Sequence, residues 1–443
     1  MSANTIALMK RAVVRLSFGH QYQLKDAYLG FRERLRQGPA RAKAADLEFV
    51  TALPDGFGAK RAVTRLSIPD MPGGHFFSFS DHVVDDRRRA TNTVLAPSTG
   101  RVAISNDLGV TWREVKIRGF GRYPIIHARA LASGNMLLQA TDPSYTGSAE
   151  LKCVILVVSQ SGDVLFCARV DGGYWHGPRA VDEAGGTIMY AEYTPNRTGP
   201  YGNDLALPSR VRRTRDGGAT WSIVFETASI RHFHVLQARP GRPGEWWLTS
   251  GDRETESRIW RSTDDGDTWA DLTERFGLRL RLGQHKFSRR IFRLTDLVWS
   301  GDSVVWGADD PLEKIGGGDG VAPLPPGART FRWNPDGDAV PENLGYCGPP
   351  VRNIVELPEH YLLITQGLHP PNSNRPRALL MRKDGVGGVV TLFEIDKFSR
   401  RMPSFTQSRA SRVAKDGVFF TARSAEDVFD HPQRILRWEI KLD

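Results

Sequence analysis

Two histidines stand two residues apart in the stretch RHFHVLQ. On a strand, His232 and His234 share one face. Imidazole is the side chain that changes charge nearest neutral pH. Such a pair can move a proton, hold a substrate or, with a carboxylate added, ligate a metal. Asp252, in TSGDRETE after the next apolar run, is the carboxylate placed to approach them. The spacing specifies no further ligand, so no metal and no other cofactor is expected. His234 is read as a substrate or proton-transfer group, against the plain alternative of a satisfied structural histidine.

Two further strings carry acids. YAEY places Glu192 and Tyr193 at the end of an apolar run, and WGADDP places Asp309 and Asp310 at the end of another. Glycoside hydrolysis needs two carboxyl groups across a cleft, one acid and one base or nucleophile. Glu192 with Asp252 or Asp309 is the pairing that chemistry would use. A lyase would instead use His176, His234 or Tyr193 as base, with arginine neutralising the carboxylate of a uronate.

These groups must be positioned by strands. Ser105 opens SNDLGVTW, Thr214 opens TRDGGATW and Ser262 opens STDDGDTW. All three read Ser/Thr-x-Asp-x-Gly-x-Thr-Trp. Asp can accept backbone N–H bonds inside a tight turn, Gly takes positive φ, and Trp packs between sheets. The aspartates Asp107, Asp216 and Asp264 are therefore read as turn formers. Weaker turns near Ser159, Arg332 and Arg382, and a last strand RILRWEI, extend the series at a period of about 50 residues, the scale of a β-propeller blade. The expectation is all-β: seven four-stranded blades, six being the alternative, over residues 47–443.

In a propeller the innermost strands line the axis. Those strands are expected at YPIIHARAL, WHGPRAV, RHFHVLQ, IFRLTDL, PPVRNIVEL and SRASRVA. Their polar residues include His127, Arg179, His232, Arg293, Arg352, Arg409 and Arg412. A ring of His and Arg would make an electropositive pocket for a carboxylated or sulfated sugar, because guanidinium pairs with carboxylate in two-pronged fashion. Trp306 could stack on a sugar face.

The chain carries 60 Lys and Arg against 50 Asp and Glu, a net charge of +10. Much of that excess lies in residues 1–46. There QYQLKDAYLGFRERLRQG spaces Leu24, Tyr28, Phe31 and Leu35 as an amphipathic helix with a basic face. This short helical arm is expected to dock on the propeller or to touch an anionic membrane through residues 10–43. Three cysteines give neither a disulfide framework nor a metal spacing. No signal peptide or membrane span is read, so a cytoplasmic, membrane-peripheral location is expected. No zinc knuckle, RNP-like string or helix–turn–helix pattern suggests nucleic acid.

The three turn motifs resemble those of the sialidase-like Asp-box (bacterial neuraminidase repeat) propeller superfamily. WHGPRAVDEAGGTIMYAEY, RHFHVLQARPGRPGEWWLTSGDRETESRIWRSTDDGDTW and VVWGADDP are similar to bacterial propellers described as glycosyl-hydrolase-like. The resemblance implies radial strands, motif turns on the outer rim and an active site at the axial mouth. Sialidases use an arginine triad, a Tyr/Glu pair and an Asp acid/base, but their early Arg-Ile-Pro signature is missing here; the nearest string is LSIPD. No sialidase catalytic residue is therefore carried over. Seven-bladed polysaccharide lyases, which use His, Tyr and Arg, are the other comparison. The expected function is action on an acidic glycan at the axial pocket, hydrolysis being favoured over elimination. The alternative from another class is a non-catalytic glycan-binding or scaffold propeller in polysaccharide assembly.

Overall fold

In a computed structural model of the chain, the described residues are 47–67, 78–84, 87–141, 152–171, 173–175, 177–193, 208–310, 312, 315–317, 320–365, 377–394, 411–413, 416–422 and 435–443. They form an all-β architecture of small antiparallel sheets, the kind a β-propeller uses. The basic arm at 1–46 lies outside the described residues. Among those that are described, the helices are short 3₁₀ turns, and none is long and apolar enough to cross a membrane.

The sheets follow one another along the chain. Residues 125–171, 233–271, 298–348 and 351–394 each make a four-stranded sheet. Residues 78–116 and 181–227 each make a further four-stranded run, joined by the parallel pair Ala184↔Val83. A three-stranded sheet is built from Arg279–Leu282, His285–Ser288 and Gly316–Gly317, and a five-stranded sheet brings the first and last described strands together. Arg61–Ser67 pairs antiparallel with Ile435–Leu442, from Ala62↔Leu442 to Ser67↔Arg437. RILRWEI lacks a turn motif for a topological reason: its outward neighbour is Arg61–Ser67, from the other end of the described residues, so no hairpin is needed.

The two inner strands of a run are covered on both faces, so even their polar residues are largely buried. Phe233–Ala238 and Trp246–Ser250 are buried along their whole length, whereas the outermost Ser222–Thr227 is half-buried to exposed. Neighbouring sheets pack through large side chains. Tyr190 and Val211 meet Phe233, Trp246 and Trp260, and Val235 and Trp247 meet Trp299, Val304 and Trp333. Buried polar groups then pin each inner strand to the next. Asp182 Oδ2 accepts from the backbone N of Ala238 at 3.0 Å, and Asp296 Oδ2 accepts from that of Ile354 at 3.2 Å. Gln237 Nε2 donates to the carbonyl of Leu297 at 3.2 Å. The Asp182 carboxylate is also paired with Arg129 at 2.6 Å, both side chains fully buried.

The repeated turns explain their own sequence. In the third, Ser262 Oγ accepts from Gly266 N at 2.8 Å and donates to Asp264 Oδ1 at 2.8 Å. Asp264 accepts from Thr268 N at 2.9 Å and Thr268 Oγ1 at 2.6 Å. The Trp269 indole donates to the carbonyl of Gly266 at 3.1 Å. Thr214, Asp216, Gly218 and Thr220 repeat the pattern, as do Ser105, Asp107, Gly109 and Thr111. Each joins the third strand of its run to the fourth. The weaker turns after Ser159, Asn334 and Arg382 occupy the same place with fewer of these bonds.

Two expected inner strands are different. WHGPRAV holds a 3₁₀ turn, Gly177–Ala180, before the strand Val181–Ala184, since Pro178 brings no N–H to a ladder. IFRLTDL begins in the 3₁₀ turn Arg289–Phe292, and its strand starts only at Val298.

Candidate active site at the mouth of the ring

The polar inner residues converge where inner strands begin and second strands end. His232 precedes the strand Phe233–Ala238 and His234 lies in it, while Phe233 between them packs into the core. Gly251 follows Trp246–Ser250 at φ +124°, and a Cβ there would sit 2.4 Å from Ser257 Cα. Only glycine fits that bend, and the bend aims Asp252 back at the histidines. Asp252 Oδ2 lies 3.2 Å from His232 Nε2, and Oδ1 lies 3.7 Å from His234 Nε2. The two Nε2 atoms are 3.1 Å apart. His234 Nδ1 is 3.0 Å from the carbonyl of Leu294. A carbonyl only accepts, so Nδ1 carries the proton and Nε2 offers its lone pair to the cluster.

Arginines and acids from four successive runs complete the mouth. Tyr193, ending Thr187–Tyr193, lays its ring on His232 with centroids 4.0 Å apart. Arg231 reaches Asp252 at 3.1 Å and Glu256 at 3.1 Å. Arg293 touches Asp252 at 3.4 Å, Asp310 at 3.3 Å and Asp309 at 3.8 Å. Arg352, from Val351–Glu356, meets Asp309 at 3.1 Å. Arg179, fully buried, donates to the backbone carbonyl of Arg352 and so floors the mouth. A hairpin, Arg279–Leu282 with His285–Ser288, is tied to the same end: Ser288 Oγ donates to Glu254 at 2.7 Å. The cluster is open enough for a ligand: side-chain exposure is 26% at Asp252, 21% at Arg293 and 20% at Arg352.

Charge states differ sharply within it. Burial works against the charge of Asp252, but its contact with His232 holds its carboxyl far below the usual carboxylate range. Burial lowers His234, keeping it neutral. Burial, with the charge of Asp252, pushes Tyr193 up to about 12. Asp310 is raised by burial against the pull of Arg293 and Arg290.

The structure thus brings together Tyr193, His232, His234, Asp252, Asp309, Arg293 and Arg352, with Arg179 beneath. It does not bring in the others. Glu192, adjacent to Tyr193 on a strand, points to the opposite face, where Arg212 Nε binds it at 2.8 Å. The expected pairing of Glu192 with Asp252 or Asp309 is therefore not assembled. Trp306 is fully buried, donates to the carbonyl of Ile291 at 2.7 Å and packs on Phe331 and Phe292, so it offers no sugar platform. His127 is buried beside Trp175, and burial lowers it to about 3. His176 and Arg409 lie outside the described residues. Arg412 stands in the strand Ser411–Val413, and its side chain lies outside the description. Glu256 and Arg290 were missed: they sit in the short 3₁₀ turns Glu254–Glu256 and Arg289–Phe292, where no periodicity marks them. Asp296 had a usable signal, a lone acid in the largely apolar stretch LTDLVW, whereas Asp182 stands beside Glu183 in VDEA and had none.

The class defined by this arrangement is an all-β protein of propeller type with a charged, partly open mouth. No protein-family model and no curated protein sequence matches the chain. Solved structures do resemble it at low identity. A chain of the mitotic checkpoint complex crystal structure is 8% identical with a TM-score of 0.49, over 91% of this chain and 97% of that one. YCF48 bound to D1 peptide gives 10% and 0.43, over 89% and 100%. The Niastella koreensis GH74 enzyme gives 12% and 0.41, over 74% of this chain and 46% of that one. None of these likenesses transfers an activity.

Proposed function

We propose that the chain is a seven-bladed propeller of Asp-box type whose mouth acts on an anionic glycan. The observation that carries this is the convergence of Arg293 and Arg352 with the His232–His234–Asp252 centre and Tyr193 in one partly open mouth. Paired guanidinium groups suit a sugar carboxylate. With that carboxylate neutralised, the proton on the adjoining carbon becomes acidic enough for the free Nε2 lone pair of neutral His234, in the His232–His234–Asp252 centre, to take. The electron pair left behind forms a C=C bond as the glycosidic oxygen departs, and Tyr193 supplies that oxygen with a proton. The chemistry is thus β-elimination on a uronate-bearing polymer.

One observation favours hydrolysis as a second reading. Arg293 contacts both Asp252 and Asp309, so two carboxylates do flank one position, as glycoside hydrolysis requires. The test is incubation of the purified chain with acidic and neutral polysaccharides, following reducing ends and the ultraviolet absorbance of an unsaturated uronate together. Both signals rising supports elimination, and reducing ends alone supports hydrolysis. Neither signal, with glycan still bound, turns the reading to a non-catalytic propeller.

A further inference from the structure

We propose that His232, His234 and Asp252 form the binding site of a divalent transition-metal ion of the zinc type. The Nε2 atoms are 3.1 Å apart, and the carboxylate oxygens lie 3.2 and 3.7 Å from them. Ligand atoms placed about 2.0–2.1 Å from a tetrahedral ion stand roughly 3.3–3.4 Å from one another. The imidazole pair stands close to one edge of such a tetrahedron, with one oxygen of Asp252 turned toward each ring. Among the described residues, this is the group of His, Cys, Asp and Glu whose ligand atoms all fall within 4.8 Å of each other.

The chemistry of the donors agrees with the spacing. Both imidazoles are buried, and their Nε2 atoms face each other across a gap that a single cation would bridge. The bond from His234 Nδ1 to the Leu294 carbonyl fixes the ligating tautomer, as the outer partner of a metal-bound histidine does. Asp252 is held in turn by Arg231 and Arg293, but neither guanidinium is given over to it. Arg231 also binds Glu256, and Arg293 also binds Asp309 and Asp310. Asp252 therefore keeps charge to offer an ion. Two imidazoles with one carboxylate suit zinc, iron(II), cobalt or nickel more than calcium, which takes oxygen ligands at longer range. Three protein ligands leave an open position toward the mouth. There a bound water would be acidified, and it would take over the role of base assigned above to His234.

The site can be tested without any glycan, so it stands or falls separately from the proposed activity. The full chain, stripped by a chelator and dialysed, is titrated with Co²⁺ and with Zn²⁺ by calorimetry and visible absorption. One equivalent is expected, with ligand-field bands from bound Co²⁺ that Zn²⁺ abolishes. Losing an outer partner of a metal ligand costs about 10–100-fold in affinity, so losing a ligand should cost about 100-fold or more. Asp252→Asn and His232→Gln, which preserve size, should each show that loss, while Asp264→Asn on the rim leaves affinity unchanged. Uptake that survives both mouth substitutions overturns the proposal. So does a folded wild-type chain that gives no ligand-field bands, a result that needs no variant to fold.

Discussion

Asp264 on the rim and Asp252 at the mouth are both aspartates in turns that follow strands, yet they sit in opposite kinds of surroundings. Asp264 is satisfied within six residues of chain, by Ser262 and by the amide and hydroxyl of Thr268. Asp252 is surrounded by side chains from His232, His234, Arg231 and the distant Arg293. The rim acid spends its charge locally and folds a hairpin. The mouth acid has its charge shared among groups that two neighbouring sheets bring together. A carboxylate with partners of the second sort can change partners when a ligand arrives, and one of the first sort cannot without unmaking its turn.

The widest separation between the two should come from neutralising each acid. Asp252→Asn is expected to lower turnover on the responsive glycan by about 10²–10⁴-fold, the range for removing an acid–base or electrostatic group. The protein should stay folded. Asp264→Asn should leave turnover per folded molecule unchanged and cost about 1 kcal/mol in denaturant unfolding, through weakened hydrogen bonds. Equal effects on turnover would collapse the distinction.

Next in size is a contrast among the histidines. Burial lowers His127 to about 3, from 6.5 when exposed. Between those values the unfolded chain binds a proton that the folded chain does not. The stability this histidine permits is therefore full above about pH 6.5 and is lost as pH falls toward 3, by about 4 kcal/mol at the low end. His127→Gln should flatten the acid limb of a stability–pH profile over that window. A profile identical to wild type would show that His127 is not packed as a neutral ring.

The rim was legible because everything it needs is adjacent in sequence. Hydroxyl, acid and glycine are each there for a bond made within the motif itself, and the indoles of Trp112 and Trp269 add another, while Trp221 packs on Tyr190. At the mouth, the two-residue spacing of His232 and His234 gave their common face, but parity was overlooked at Glu192 and Tyr193. Neighbours on a strand cannot both face the axis, and it is Tyr193 that does. Trp306 was open to misreading because a tryptophan in a fully buried run looks the same in sequence as one at a surface. Arg293 was found by type, although the strand expected to carry it is a 3₁₀ turn followed by irregular chain. Its partners Asp252, Asp309 and Asp310 come from loops whose meeting depends on ring closure, which no local pattern encodes.

A smaller effect separates carboxylate recognition from general charge. Arg352→Lys keeps a cation near Asp309 and loses the planar fork. It should raise KM for an acidic glycan by about 10-fold, the cost of one charge-assisted bond, with kcat less affected. Binding of a neutral oligosaccharide should not change. A parallel loss on neutral sugars would assign Arg352 to holding the mouth together through Asp309.

The finest comparison makes one substitution in both places. Gly266 in the rim turn has φ +86°, and a Cβ there would meet the flexible end of Met189 at 2.6 Å. Gly266→Ala therefore carries the strain of a left-handed alanine and a side-chain shift, about 1–2 kcal/mol in all. Gly251 has φ +124°, and its Cβ would strike the backbone of Ser257, which cannot step aside. Relief there must come from the bend itself, and Asp252 is the next residue. Gly251→Ala should thus weaken Co²⁺ binding and turnover in the molecules that remain folded, whereas Gly266→Ala should leave both untouched at a measurable loss of stability. If the two alanines lower stability alike and leave Co²⁺ binding alike, the position of Asp252 does not depend on that glycine, and the mouth is held by its ion pairs instead.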